Sequence, residues 1–168
     1  TVGVLVQANY GTRSSLRIAG VPVGEHLREG ATGHETASDG DNGSIIIVVA
    51  TDAPLLPNQL DRVARRAAMG LARMGSFAGN GPGDLFVAFS TARRRSMEGD
   101  LVHGAEFLDN GRLDVLFEAT VQATEEAIVN SMVAARDMQG NAGTSARAIP
   151  HAALTDLMKR YGRGSTPR

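Results

Sequence analysis

A layered α/β domain is the fold class this 168-residue sequence predicts. Three observations point to it. Runs such as Val2–Ala8 and Ile45–Ala50 are apolar at nearly every position, which reads as strands covered on both faces rather than on one. Segments with apolar residues three and four apart alternate loosely with those runs, as helices alternate with strands in layered domains. The composition is that of a globular chain, 42% hydrophobic and 21% charged, well away from the low-hydrophobicity regime of disorder. The length suits one domain with a real core, and no internal repeat is visible.

The elements come in this order. Val2 to Ala8 is the first strand. Leu16 to Val23, around Ala19-Gly20, reads as a short strand or hairpin. Glu25 to Gly43 is rich in Gly, Ser, Thr and Asp and has no hydrophobic period, so an exposed, mobile loop is expected there. Ser44 to Thr51 is the clearest strand, ended by Pro54 and Pro57. Pro57 suits the first turn of a helix, where its missing N–H is not needed. Leu60, Val63, Ala64, Ala67, Leu71 and Met74 then trace one helix face, Asp61, Arg62, Arg65, Arg66 and Arg73 line the other, and Gly75 is a natural stop. Leu85 to Phe89 is a further short strand, and Ala92 to Asn110 looks irregular. Leu113, Leu116, Phe117, Thr120, Thr124, Ala127, Ile128, Ser131 and Ala135 predict a long helix whose small-residue face packs closely on another element. His151 to Tyr161 is a last helix, and Gly162 to Arg168 is expected to be disordered. Only about four strands are visible, so the sheets are expected to be incomplete. Thr1 is no initiator methionine, and the first nine residues read as a strand already under way. The chain is therefore expected to be the C-terminal part of a longer protein, whose localisation, cytoplasmic or periplasmic, is left open.

Charge and residue usage narrow the function. A net charge of −1 gives no electrostatic footprint for nucleic acid or an anionic membrane. The longest apolar run, Ile45 to Ala50, is far too short to span a bilayer as a helix. With no cysteine, thiol catalysis and cysteine–zinc sites are excluded. His26, His34, His103 and His151 are scattered and show no metal-ligand spacing, so they read as surface residues and no cofactor is expected. Gly79-Asn80-Gly81-Pro82-Gly83-Asp84 is glycine-rich, but it follows a helix and precedes a strand, the reverse of a phosphate loop.

Asn42-Gly43-Ser44 is different. A turn runs straight into a serine that opens a buried strand, which is either an ordinary loop end or a rigidly held hydroxyl. If the chain is cut at Gly43–Ser44, Ser44 carries a nucleophile and an α-amine on one residue. An amine with a reference pKa of roughly 7.7–8.0 can take the hydroxyl proton near neutral pH. Asn9, at the end of the first strand, is either a turn asparagine before Gly11 or a donor to a developing oxyanion.

At these residues the sequence resembles a known family. Thr1-Val2-Gly3-Val4-Leu5-Val6-Gln7-Ala8-Asn9, Asn42-Gly43-Ser44-Ile45-Ile46 and Ala50-Thr51-Asp52-Ala53-Pro54-Leu55-Leu56-Pro57 are similar to the DmpA-type aminopeptidases. That family includes the L-aminopeptidase/D-esterase enzymes and the β-peptidyl aminopeptidases. Leu116-Phe117-Glu118-Ala119-Thr120-Val121-Gln122-Ala123-Thr124-Glu125-Glu126-Ala127 also looks like the family. The resemblance runs over nearly all of 1–161 and covers only the back half of a family member. It implies a DmpA-like four-layer αββα sandwich, similar in architecture to N-terminal-nucleophile hydrolases and here present in part. It also implies a precursor that cuts itself between Gly43 and Ser44, with 1–43 ending the α-chain region and 44–168 forming the β-chain region of one domain. Ser44 then matches the nucleophile and base, Asn9 the oxyanion donor, and Asp84 the carboxylate of a proton relay. Pro82 departs from the pattern, since the family has a hydroxyl or acid there. The implied reaction is hydrolysis of short peptides, amides or esters through an acyl-enzyme on Ser44, in a homo-oligomer of processed protomers. Two other readings stand beside it: an acyltransferase of the ornithine acetyltransferase type, disfavoured by Ser44 where threonine is the pattern, and a non-catalytic fragment.

Overall fold

The computed structural model describes residues 1–27, 43–81, 83–92, 105–143 and 145–164. Its centre is a three-stranded sheet in the order β1 (Val2–Asn9), β2 (Ser44–Thr51), β3 (Leu85–Ser90). β1 runs antiparallel to β2, from Val2 opposite Thr51 to Asn9 opposite Ser44. β3 runs parallel to β2, from Ile46 beside Leu85 to Thr51 beside Ser90. Parallel neighbours need a crossover, and α2 (Pro57–Arg73) supplies it. Pro57 occupies the first turn, Gln59 Oε1 accepts the Leu56 N–H at 3.0 Å, and the helix stops before Gly75.

The strand pleat sorts each strand's residues to two faces. Ile45, Ile47 and Val49 are fully buried, and Val2, Val4, Val6, Phe86 and Ala88 pack beside them. Val63, Ala67 and Leu71 of α2 and Met74 just after it cover this face, with Leu113, Phe117 and Ile128 of α3 (Leu113–Ala134). The two helices approach closely. A Cβ on Gly70 would lie 2.7 Å from both Thr124 Cβ and Val121 O, so only glycine lets α3 come that near. Thr120 and Thr124 are fully buried, and their hydroxyls bond back to Leu116 O and Thr120 O at 2.7 and 2.8 Å, which leaves no orphan polar atom at the crossing. An ion pair from Arg73 to Glu125 at 3.1 Å joins the same helices. α4 (His151–Arg160) adds the fully buried Leu157.

Several expectations change. The strands are covered on one face only among the described residues: Leu5, Ile46, Leu85, Val87 and Phe89 share the other face and are exposed. Of the short strand or hairpin expected around Ala19-Gly20, the structure has the tight hairpin, a single antiparallel bridge between Ile18 and Val21, followed by the one-turn helix α1 (Val23–His26). Two-residue strands β4 (Met138–Gln139) and β5 (Ser145–Ala146) form a small antiparallel pair that no hydrophobic pattern announced. Gly162 to Gly164 continue from α4 as a bonded turn, with Arg163 N–H donating to Met158 O. Residues 28–42, 93–104 and 165–168 lie outside the described residues, and with them the expected loop, most of the irregular stretch and the end of the tail.

Candidate active site

Ser44 is the first residue of β2, and its neighbour in the strand fixes its position. The Ile45 side chain is locked in the core, so the peptide before it cannot wander. Ser44 is half-buried, and its Oγ accepts the Gly83 N–H at 2.9 Å. An Oγ that accepts there keeps its own hydrogen to give to a base. One residue on, the Ile45 N–H donates to Asp84 Oδ1 at 3.1 Å. Gly83 and Asp84 immediately precede β3, so the parallel β2–β3 register is what brings the two segments side by side.

Asn9 is the last residue of β1 and stands directly opposite Ser44 in the antiparallel ladder. Directly opposite residues project to the same face of a sheet. Asn9 and Ser44 therefore share a face, and by strand alternation it is the open one, with Leu5 and Ile46. Gly43 completes the cluster. A Cβ there would lie 1.9 Å from Asn9 O, 2.6 Å from Asn9 C and 2.7 Å from Tyr10 Cα. The end of β1 is thus a backbone wall against the residue before Ser44, and only glycine fits against it.

The structure therefore brings Asn9, Gly43, Ser44 and Asp84 together at one end of the sheet. Pro82 lies outside the described residues, as do His34 and His103. His26 is away from this cluster, with its Nε2 2.8 Å from the Tyr161 hydroxyl, and His151 opens α4. Among the described residues no three of His, Asp and Glu gather as a metal site would require. Gly83 and Tyr10 act through backbone atoms, which residue type does not reveal; Gly83 was visible only as the middle of the Pro82-Gly83-Asp84 triplet. A cavity of about 570 Å³ lies beside the end of β1, bounded by Asn9, Tyr10, Arg13, Met74, Ile128 and Ile149, among others. Ser44 does not line it.

Comparison with known proteins agrees on one family. The model of peptidase family S58 matches residues 1–146. The β-peptidyl aminopeptidase BapA of Sphingosinicella microcystinivorans is 49% identical over 175 residues, covering 97% of this chain and 44% of the relative. The β-peptidyl aminopeptidase BapA of Sphingosinicella xenopeptidilytica is 44% identical over 169 residues, covering 95% of this chain and 42% of the relative. Among solved structures, the L-aminopeptidase D-Ala-esterase/amidase from Ochrobactrum anthropi superposes with a TM-score of 0.86 at 44% identity, over 98% of this chain and 44% of that one. It is described as a prototype for the serine aminopeptidases and a variant of the Ntn hydrolase fold. A β-aminopeptidase from Burkholderia sp. gives a TM-score of 0.80 at 40% identity, over 99% of this chain and 45% of that one. The chain thus spans less than half the length of each of these relatives. The fold is the DmpA-like α/β sandwich in part: among the described residues, the three-stranded sheet with its helical layer.

Proposed function

This chain belongs to peptidase family S58, and on that premise we propose that it is the nucleophile-bearing part of an autoprocessing serine aminopeptidase. The observation that carries the reading is the setting of Ser44. It opens β2 directly after Gly43, with Oγ held by the Gly83 N–H at 2.9 Å and Asn9 across the ladder.

Self-cleavage comes first. Ser44 Oγ attacks the carbonyl carbon of Gly43, the bond from that carbon to the Ser44 nitrogen breaks, and the hydroxyl proton ends on that nitrogen. The result is an ester on Oγ and a free α-amine. Water hydrolyses the ester, releasing the Gly43 carboxylate and dividing the sequence into 1–43 and 44–168. Turnover repeats the chemistry on a substrate. The new amine takes the Oγ proton, Oγ attacks the substrate carbonyl, and the leaving amine or alcohol departs with a proton. Asn9 faces the same side of the sheet as Oγ, so its amide supports the developing oxyanion. Water then frees the acyl group and regenerates Ser44.

The substrate class follows the relatives' names: β-peptidyl aminopeptidases and an L-aminopeptidase D-Ala-esterase/amidase. We therefore assign short peptides, amides and esters that present an N-terminal amino-acyl group, β-amino-acyl groups included. Assembly into a homo-oligomer of processed protomers is part of the same proposal. Intact mass and N-terminal sequencing of the full-length protein test it. The expected result is a chain beginning Ser-Ile-Ile-Ile, absent in Ser44→Ala, which also loses amidase activity. A Ser44→Ala protein that is still cut and still active refutes the assignment.

A further inference from the structure

We propose that the cavity beside the end of β1 receives the Gly43 carboxylate that self-cleavage creates, and that Arg13 and Arg147 hold it there. This rests on the reading of Gly43–Ser44 as the bond that is cut. Hydrolysis of the ester on Ser44 Oγ leaves a carboxylate on Gly43 and a free amine on Ser44. The carboxylate then lies where the carbonyl of a substrate has to go. Turnover requires it to move aside, and the cavity is the adjoining space.

The packing of Gly43 gives the route. A Cβ on it would lie 1.9 Å from Asn9 O and 2.7 Å from Tyr10 Cα, so this residue rests on the chain just where it leaves β1. Asn9 and Tyr10 are also walls of the cavity, whose volume of about 570 Å³ is in the range of ligand sites. The new carboxylate therefore forms at the cavity's edge. Ser44 does not line the cavity, so a carboxylate inside it no longer stands over the nucleophile.

The lining has the chemistry to keep it. Among the described residues around the cavity are two arginines, Arg13 and Arg147, and no Asp or Glu. The floor is apolar, with Leu16, Met74, Ile128 and Ile149. Charge of one sign between low-dielectric walls focuses the potential on the opposite ion. Arg13 follows Tyr10 by three residues, a span of at most about 11 Å along the chain. A guanidinium carries five N–H donors in a planar fork that matches a carboxylate and leaves donors for protein partners. Before the cut Gly43 is part of an uncharged peptide; after it the same residue is an anion. The attraction thus arises with the cut and needs no other trigger. Arg13 stays on the chain that ends at Gly43 and Arg147 on the chain that begins at Ser44, so the captured carboxylate also ties the two products together.

The experiment uses the full-length processed protein, with a carboxypeptidase as the probe of the new C-terminus. Intact mass follows removal of Gly43 from the unaltered protein, Arg13→Gln, Arg147→Gln and the double variant. Both arginines are exposed, so the changes leave the core untouched. A carboxylate held by the arginines is withheld from the protease. Trimming is expected to be at least about tenfold faster in the double variant than in the unaltered protein, the scale of a charge-assisted bond. The single variants fall between, and cleavage at Gly43–Ser44 keeps its normal rate in all of them. The freed carboxylate competes with substrate, so KM for an amide is expected to rise about tenfold in the double variant with kcat unchanged, and trimming the tail restores it. Equal trimming rates in all four proteins overturn the proposal. So does a raised KM that trimming does not reverse, since the defect is then structural. Should the double variant fail to fold, the single variants decide by the same comparison. An unaltered protein that is never cut has no Gly43 carboxylate and refutes the functional reading itself, an outcome separate from any behaviour of the arginine variants.

Discussion

The two faces of the β1–β2–β3 sheet are made of the same kinds of residue and live in different worlds. On one, Ile45, Ile47 and Val49 are fully buried under α2 and α3. On the other, Ile46 is 39% exposed, Val87 42% and Leu5 72%. Alternate residues of one strand, chemically interchangeable, thus divide into a stability face and an open face. Ser44 and Asn9 belong to the second by strand parity, at its end. The covered face anchors the strand, and on the proposed reading the open face presents the chemistry. Such a separation would let the proposed nucleophile be accessible while its backbone is immobile. The four-layer sandwich that the family resemblance implies would set a second sheet against this open side.

Three substitutions probe that division, in falling order of effect. Ile47→Ala on the covered face removes a fully buried side chain and is expected to lower stability by about 2–5 kcal/mol, read by chemical denaturation. A loss under about 1 kcal/mol would mean that this face is not the core. Gly43→Ala sits where the faces end. Its Cβ meets the Asn9–Tyr10 backbone, so the start of β2 must shift, with an expected strain of about 1–3 kcal/mol and cleavage slowed at least about tenfold by intact-mass time course. Normal cleavage would remove the wall from the account. Val87→Thr on the open face is the smallest: within about 0.5 kcal/mol in residues 1–168 alone. In the full-length protein the same change is expected to cost about 1–3 kcal/mol, because a second sheet would bury the new hydroxyl. Equal small effects in both settings would show that the open face stays open.

Much of this was legible in the sequence, for reasons that differ by element. β2 announced itself through six apolar residues in a row, and α2 through the spacing from Leu60 to Met74 with Pro57 before and Gly75 after. The small-residue face of α3 indicated close packing, and Gly70 against Thr124 is that packing. Fully apolar strands read correctly as strands, but apolarity cannot say which neighbour covers each face, and among the described residues only one face is covered. β4 and β5 are too short for any period to register. At the site, Ser44 and Asn9 stood out by position in their strands. What stayed hidden was set by strand pairing: Asp84 reaching Ile45, and the Asn9 backbone lying against Gly43. Both depend on a register fixed by residues far from the site.

That register has one more effect. The ladder from Val2 opposite Thr51 to Asn9 opposite Ser44 lies wholly between the segments before and after Gly43–Ser44. If that bond is cut as proposed, β1 and β2 belong to separate polypeptides, and an internal strand pairing becomes an interface between subunits. Loss of the pairing is then a dissociation, so the melting temperature of the processed protein should rise more steeply with its concentration than that of an uncut variant.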